Sequence, residues 1–421
     1  MSVEFRLLTA DDDLEPDLDL ARRAFGPFGE AERERRLASA RASVVSGRYL
    51  GAFDGSRQVG SARYFDMRQW WHGRSLPMAG VAGVKVAPEE RGRGVGRGLM
   101  TELLAQIAER GYPLSALYPA TTGLYRSVGW ELAGGQYQVE VPARSLRSLQ
   151  PPDRQALPDG PGVRAGAGDG SGAASGAASR AAPVIRRGGP ADAARMITLI
   201  GELHARGRDC GPVTFDTESF AHSLDDEDIY CYLAADGLLA YQWNRSDEEV
   251  LVYGLQAGSA ATTRMLWAIV ASHGTIARSV RAIAAPADPV SWLVREPDVR
   301  LARREMWMLR LVDAPAAIAG RGFPDGTELA VPLALHDGER PSNSGQWLLQ
   351  VSGGKGELSR SSLPASAAPP LRLGSRGLAA LYAGTPLATL RGAGLAVDGD
   401  LAADAAVDEA FTGTAFMYDY F

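Results

Sequence analysis

Apolar residues change their rhythm several times along the chain, and each change marks an element. Two strand-like runs flank Asp54-Gly55 in "YLGAFDGSRQVGSARYFDMRQWW", which predicts a β-hairpin turning at that dipeptide. "MAGVAGVKVAP" is a nearly unbroken apolar run and predicts a strand that stops at Pro88. The spacing then becomes helical, with Leu99, Met100, Leu103, Leu104 and Ile107 on one face and Gly111 as the stop. A strand in "PLSALYP" and a short helix follow.

A similar order returns further on. "PADAARMITLIGELHARGR" predicts an amphipathic helix starting near Pro190. "DIYCYLAADGLLAYQWN" and "EEVLVYGLQAGS" read as strands, and "ATTRMLWAIVASHG" as a helix capped by Gly274. Hairpin, strand, helix is the order of the first part, so a degenerate internal repeat is predicted. Between the copies, 151–184 is dominated by Gly, Ala, Ser, Pro and Asp without apolar periodicity, the composition of a mobile linker or insertion. The last hundred or so residues, including "GQWLLQVSGGKGEL" and "LGSRGLAALYAGT", predict a separate α+β domain. The expected division is 1–150, the linker 151–184, then 185–310 and 311–421, a mixed α/β (α+β) protein throughout.

Composition narrows the function. A chain of 421 residues predicts two or three domains. A net charge of −6 argues against nucleic acid or an anionic membrane as main partner and suits a cationic small molecule. Cys210 and Cys231 are the two cysteines, without a CxxC pair, so neither a disulfide framework nor a zinc site is expected. None of His72, His204, His222, His273 and His336 has a partner at metal-ligand spacing, and no metal is expected. With no signal-peptide pattern at the start and no apolar run of membrane length, a cytoplasmic protein is expected.

The candidate chemistry lies in "EERGRGVGRGLM", Glu89 to Met100, between the strand Val81–Val86 and the helix behind it. Unpaired N–H groups at a helix N-terminus, backed by its dipole, favour an anion such as a pyrophosphate. Glycines remove the Cβ atoms that would hold a phosphate away, and arginines add charge-assisted contacts. The alternative is a flexible, solvated basic turn. The spacing is neither GxGxxG nor a P-loop; it is RxxGxG, on Arg91, Gly94 and Gly96.

RxxGxG after a strand, then an amphipathic helix, a strand and "LYRSVGW", resembles the GNAT acyltransferases, with Tyr125, Gly129 and Trp130 matching their YxxxGF-like element. The longer stretch "GVKVAPEERGRGVGRGLMTELLAQIAERGYPLSALYPATTGLYRSVGWELA", with "MWMLRLVDAPAAI" at Met306–Ile318, is similar to the Eis-type N-acetyltransferases. The resemblance implies a catalytic GNAT domain, a degenerate second GNAT domain and a sterol-carrier-protein-like last domain, assembled as a homo-oligomer, a hexamer in that family. It implies acetyl-CoA as cosubstrate. Val84, Lys85 and Val86 would offer backbone groups to the pantetheine arm. Arg91, Gly92, Arg93, Gly94, Val95, Gly96 and Arg97 would hold the pyrophosphate, and Ala120 and Thr121 would lie beside the thioester.

Amine acetylation requires a proton to leave the ammonium and one to reach the departing thiolate. By resemblance Tyr125 is the acid, and the base is the carboxylate of the last residue, Phe421, threaded into the first domain. The tail "TAFMYDYF" is aromatic-rich, as an anchored tail would be, although a terminal strand completing the last domain's sheet is the alternative reading. "EAERERRLASAR" reads as a solvated helix face, and Trp70 and Trp71 as either a substrate wall or hairpin packing. Aminoglycoside-acetylating members carry an acidic residue and a tryptophan where Pro27 and Leu37 stand, with Glu30 or Asp66 as possible substitutes. Some primary amine is therefore the expected acceptor. A protein lysine, or no reaction at all in a sterol-carrier-like binding protein, are the other classes.

Overall fold

The computed structural model of the chain describes residues 3–149, 183–244, 246–361 and 369–421, so the stretch read as a linker, 151–184, lies outside the described residues except for its last two positions. The chain opens with β1 (Glu4–Leu7), α1 (Glu15–Phe25), α2 (Glu30–Val45), β2 (Tyr49–Asp54), β3 (Arg57–Trp71), β4 (Arg74–Val86), α3 (Val95–Glu109), β5 (Leu114–Leu117), α4 (Thr122–Ser127) and β6 (Glu131–Pro142). It continues as β7 (Arg186–Gly188), α5 (Ala193–Gly207), β8 (Cys210–Thr214), α6 (Thr217–Ser223), β9 (Ile229–Leu233), β10 (Gly237–Asn244), β11 (Glu249–Ala257), α7 (Ala260–Ala271), β12 (Ser279–Ala284), α8 (Val290–Leu293) and β13 (Arg300–Leu311). It closes with α9 (Ala314–Gly320), β14 (Leu329–His336), β15 (Gly345–Ser352), β16 (Lys355–Arg360), β17 (Leu371–Gly374), α10 (Ser375–Tyr382), α11 (Leu387–Gly392), β18 (Ala396–Val397) and α12 (Asp404–Ala410).

The compact units do not follow chain order. One comprises Met1–Tyr137, Ile200–Thr217 and Arg304–Phe421; the other comprises Gln138–Leu199 and Glu218–Arg303.

In the first unit the sheet runs β1-β2-β3-β4-β5-β13-β6, with β8 added to β3. The hairpin of β2 and β3 turns after Asp54, which pairs with Arg57. β4 and β5 are parallel. Every position of the apolar stripe on α3 is buried, and the stripe packs on Leu50, Val59, Tyr64 and Val81. Burial of such side chains contributes about 1.5–3 kcal/mol each. β13 arrives from far along the chain and pairs antiparallel with β5, Met308 opposite Leu117 and Leu311 opposite Leu114.

The last sheet keeps its own order, β16-β15-β14-β17-β18, yet its core is continuous with residues of β3, β4 and β13. Trp71 is fully buried there, with its ring 4.8 Å from that of Tyr382 and 6.3 Å from that of Trp307. Arg321, also fully buried, donates to the carbonyls of Tyr382 and Phe411. The rings of Trp71, Phe323, Tyr382 and Phe411 surround its guanidinium at 4.9–5.6 Å. Trp71 is thus a core residue and not a substrate wall. Trp70 rests on α5, 6.1 Å from the ring of His204.

The second unit repeats the pattern: a β9–β10 hairpin, then β11, α7 and a parallel β12. Gly274 does not cap α7, which ends at Ala271 with Ser272 as its cap. Gly274 sits in the 3-10 turn Ser272–Thr275, where a Cβ would stand 3.2 Å from the carbonyl oxygen of Ala143. Backbone proximity, not a left-handed cap, favours the glycine. Among the described residues no helix is long and apolar enough to cross a membrane.

Candidate active site

The loop after β4 is built to leave backbone exposed. Gly94 precedes α3 in the left-handed region (φ 84°), with no side-chain cap on the helix, and Gly92 has φ 80°. Side chains are strained there, and a Cβ on either glycine would meet nothing within 4 Å. The space beside these two glycines is therefore open at the uncapped start of α3, the arrangement that favours an anion. Val95 buries its side chain and offers only its N–H. Gly96 lies against Leu124 and Val86, its Cβ position 3.5–3.6 Å from them, so the loop, β4 and α4 meet at one point. Gly98 packs: a Cβ there would press on the Phe5 ring at 2.5 Å.

Buried Glu90 anchors the loop from below, accepting from Arg57 and, at 2.5 Å, from Arg93. Arg97 donates to the Ser127 carbonyl and to Glu339, and Arg91 is exposed. The guanidinium groups of Arg93 and Arg97 are thus engaged by carboxylates.

Next to this loop, β4 and β5 part. Their ladder ends at Val81 opposite Leu117, while β4 continues to Val86. Beyond the ladder β4 bulges against β3, with Gly83 at φ 61°. Val84–Val86 thereby keep backbone groups unpaired on the β5 side. The Lys85 side chain turns into the protein, 2.9 Å from the Tyr49 hydroxyl and 3.1 Å from Asp17. Asp17 also accepts from Ser61 at 2.6 Å and from Tyr49 at 2.5 Å. A buried ion pair with its remaining sites satisfied holds this end of β4 in place. Ala120 and Thr121 are exposed, and Thr121 precedes α4.

Tyr125 lies on α4 and is buried. Burial, with the nearby Tyr420 phenol adding to it, pushes its hydroxyl up to about 12, so it holds its proton at neutral pH. The Tyr125 carbonyl accepts from the N–H groups of Val128 and Trp130 at 3.1 Å, ending the helix. Gly129 follows at φ 96°, where a Cβ would lie 2.8 Å from both Arg310 and Ser375. This explains the glycine of the YxxxGW element.

The tail does not join the last domain's sheet, whose strands are β14 to β18. It bridges Gly135 and Cys210 instead. The N–H of Phe416 donates to Cys210 at 3.0 Å and that of Met417 to Gly135 at 3.1 Å. The Gln136 side chain donates to the Tyr418 carbonyl at 2.8 Å. The Tyr418 ring stacks on His204, whose Nδ1 is 2.8 Å from Asp209. Tyr118, one residue beyond β5, donates its hydroxyl to the Asp419 carbonyl at 2.7 Å. The Phe421 ring lies against Gly80 of β4, where a Cβ would stand 3.0 Å from it. The Phe421 ring thus packs on β4 where it still pairs with β5, Gly80 opposite Ala116, one residue before the two strands part. Asp419 is half-buried, and burial pushes its carboxyl up to about 7.

Gln136, Tyr118, His204 and Asp419 carry no motif, and sequence reasoning did not single them out for this site. Of the residues considered for a cationic acceptor, Glu30 is paired with Arg33 and Asp66 with Arg48, each at 3.2 Å. Among the described residues no group of three or more His, Cys, Asp or Glu is placed to hold a metal.

In the second unit the equivalent helix end is filled from within. Ser259 caps α7 on the Thr262 N–H, and Asp236 accepts from the Thr262 hydroxyl at 2.5 Å. The Gly258 N–H donates to the Asp236 carbonyl at 2.7 Å. A carboxylate and a cap where the first unit has open glycines disfavour a second anion there.

Residues 4–133 and 215–311 match two Acetyltransferase (GNAT) domain families, and residues 314–417 match the Sterol carrier protein domain family. N-acetyltransferase Eis of Mycobacterium tuberculosis is 29% identical over 346 residues, covering 79% of this chain and 78% of its own. The solved GCN5-related N-acetyltransferase from Kribbella flavida is 42% identical with a TM-score of 0.89, covering 100% of this chain and 98% of that one. Eis1 from Mycobacterium abscessus shares the fold at 23% identity and a TM-score of 0.73, covering 99% of this chain and 100% of that one.

Proposed function

Because the chain belongs to the GCN5-related N-acetyltransferases, and within them to the Eis type, we propose that it acetylates a primary amine of a small cationic molecule by direct attack. Phe421 supplies the base and Tyr125 the acid. Acetyl transfer from acetyl-CoA is the activity of the family; the acceptor class and the residue roles are our reading. The observation that carries it is the tail, whose last ring packs against Gly80 of β4, one residue before Val81, where the β4–β5 ladder ends.

The residues fit the cosubstrate: open glycines at an uncapped helix start for the pyrophosphate, and unpaired strand backbone at Val84–Val86 for the pantetheine arm. Ala120 and Thr121 would lie beside the thioester, and Arg91 is exposed, while Arg93 and Arg97 are paired with Glu90 and Glu339. Acetyl-CoA supplies the activated acetyl group. Phe421 then accepts the proton of the attacking amine, and Tyr125 keeps a proton on its hydroxyl, ready for the departing sulfur. Each positioned group contributes about 10²–10⁴-fold.

In this reading 1–150 form the catalytic domain, 151–184 a linker, 185–310 the degenerate repeat, and 311–421 carry the base. A cytoplasmic homo-oligomer, hexameric by resemblance, is part of the same proposal, and light scattering at micromolar protein tests the assembly. The test of function is a panel of amines with thiol release as readout. Turnover on small polyamines, including aminoglycosides, supports the reading; turnover on lysine peptides alone assigns the acceptor to protein. Absence of both turnover and CoA-induced thermal stabilisation assigns a binding protein.

A further inference from the structure

We propose that Tyr118 is the positioning residue for the terminal carboxylate, fixing the end of the tail through one hydrogen bond and two ring contacts. The inference rests on the reading of Phe421 given above. Tyr118 stands immediately beyond Leu117, the last residue at which β5 pairs with β4. Its hydroxyl donates to the main-chain carbonyl of Asp419 at 2.7 Å, so it directs the backbone itself. Its ring lies 4.4 Å from that of Tyr420 at 33° and 5.6 Å from that of Phe421 at 71°. The first is tilted and the second edge-to-face, and favourable aromatic pairs are worth about 0.5–1.5 kcal/mol each.

Upstream contacts are made by other residues: Cys210 and Gly135 hold Phe416 and Met417, and Gln136 holds Tyr418. From Asp419 onward the contacts converge on Tyr118, with Gly80 closing the far side of the Phe421 ring. A chain end frays unless it is tied. A base misplaced by an ångström costs about 10²-fold. Tyr118 answers that requirement through its contacts with Asp419, Tyr420 and Phe421. Burial raises the Tyr118 hydroxyl, with Asp419, Tyr420 and Glu305 adding to it, so the donor keeps its proton at working pH.

The experiment compares full-length Tyr118→Phe and Tyr118→Ala with wild type for kcat, KM for acetyl-CoA, thermal midpoint and release of Phe421 by carboxypeptidase A. Tyr118→Phe, which loses the hydrogen bond alone, should lower kcat about 5-fold. Tyr118→Ala should lower kcat about 30-fold or more and speed phenylalanine release about 10-fold, with KM for acetyl-CoA within about twofold. A merely structural tyrosine would lower the thermal midpoint without this split. Wild-type kcat together with wild-type release in Tyr118→Ala overturns the proposal. Lowered kcat with Phe421 still protected also overturns it, because the loss would not run through the tail. Faster release at unchanged kcat overturns it too, and locates the fault in the carboxylate reading and not in the contact.

Discussion

A Cβ atom on Gly211 would stand 2.5 Å from the carbonyl oxygen of Phe416 and 2.9 Å from its nitrogen. Gly211 also has φ 101°, which L side chains rarely adopt. The tail passes over β8 at a separation that glycine alone permits, and Gly134 on β6 meets the Ala415 carbonyl in the same way. Gly211→Ala should therefore displace the tail, lowering kcat about 10-fold or more while costing the fold about 1–3 kcal/mol. Steady-state kinetics beside a urea melt check this, and wild-type kcat would show that the tail tolerates the shift.

Gly94→Val places a side chain where φ is 84° and fills the space above the first N–H groups of α3. KM for acetyl-CoA should rise about 10-fold or more. The matching change at Gly258 should leave KM unchanged, since Asp236 and Ser259 already occupy that helix start. Equal losses from both variants would mean that the second unit also binds the cosubstrate.

Tyr125→Phe keeps the ring and removes the hydroxyl proposed as the acid. We expect kcat to fall about 10-fold or more with KM for acetyl-CoA unchanged. An unaltered kcat would make Tyr125 a core residue.

Asp419 gives a pH signature. Its carboxyl is raised by burial from the usual carboxylate range to about 7, so between about pH 4 and 7 the folded chain binds this proton and the unfolded chain does not. Its contribution to stability is fully present below the unfolded value and is lost as pH rises to 7. Asp419→Asn should flatten the fall in stability across that window. Identical pH–stability curves for the two proteins would refute the assignment.

What the sequence made legible was local. The α3 stripe, the Asp54-Gly55 turn and the motif spacing of the glycine loop and Tyr125 depend on residues within one or two turns of each other. Contacts between distant parts of the chain left no such trace. Tyr118 and Asp419 are 301 positions apart, and the pairing of β13 with β5 joins Leu114 to Leu311. Gly134 and Gly135 lie inside β6, and the sequence gives no sign that the tail passes over Gly134. Trp70-Trp71 is ambiguous for the same reason: adjacent strand residues face opposite ways, and the sequence does not say which face is covered.

The central claim is that the Phe421 carboxylate is the base, and its position depends on the chain stopping there. One added alanine moves the charge by about 3.5 Å, beyond hydrogen-bond reach of the amine proton. The most direct measurement is kcat of the protein carrying a single alanine after Phe421, beside one extended at Met1. We expect turnover to be nearly abolished in the first and unchanged in the second, with CoA binding and thermal midpoint preserved in both. A C-terminally extended enzyme that acetylates amines at the rate of the parent would contradict the account.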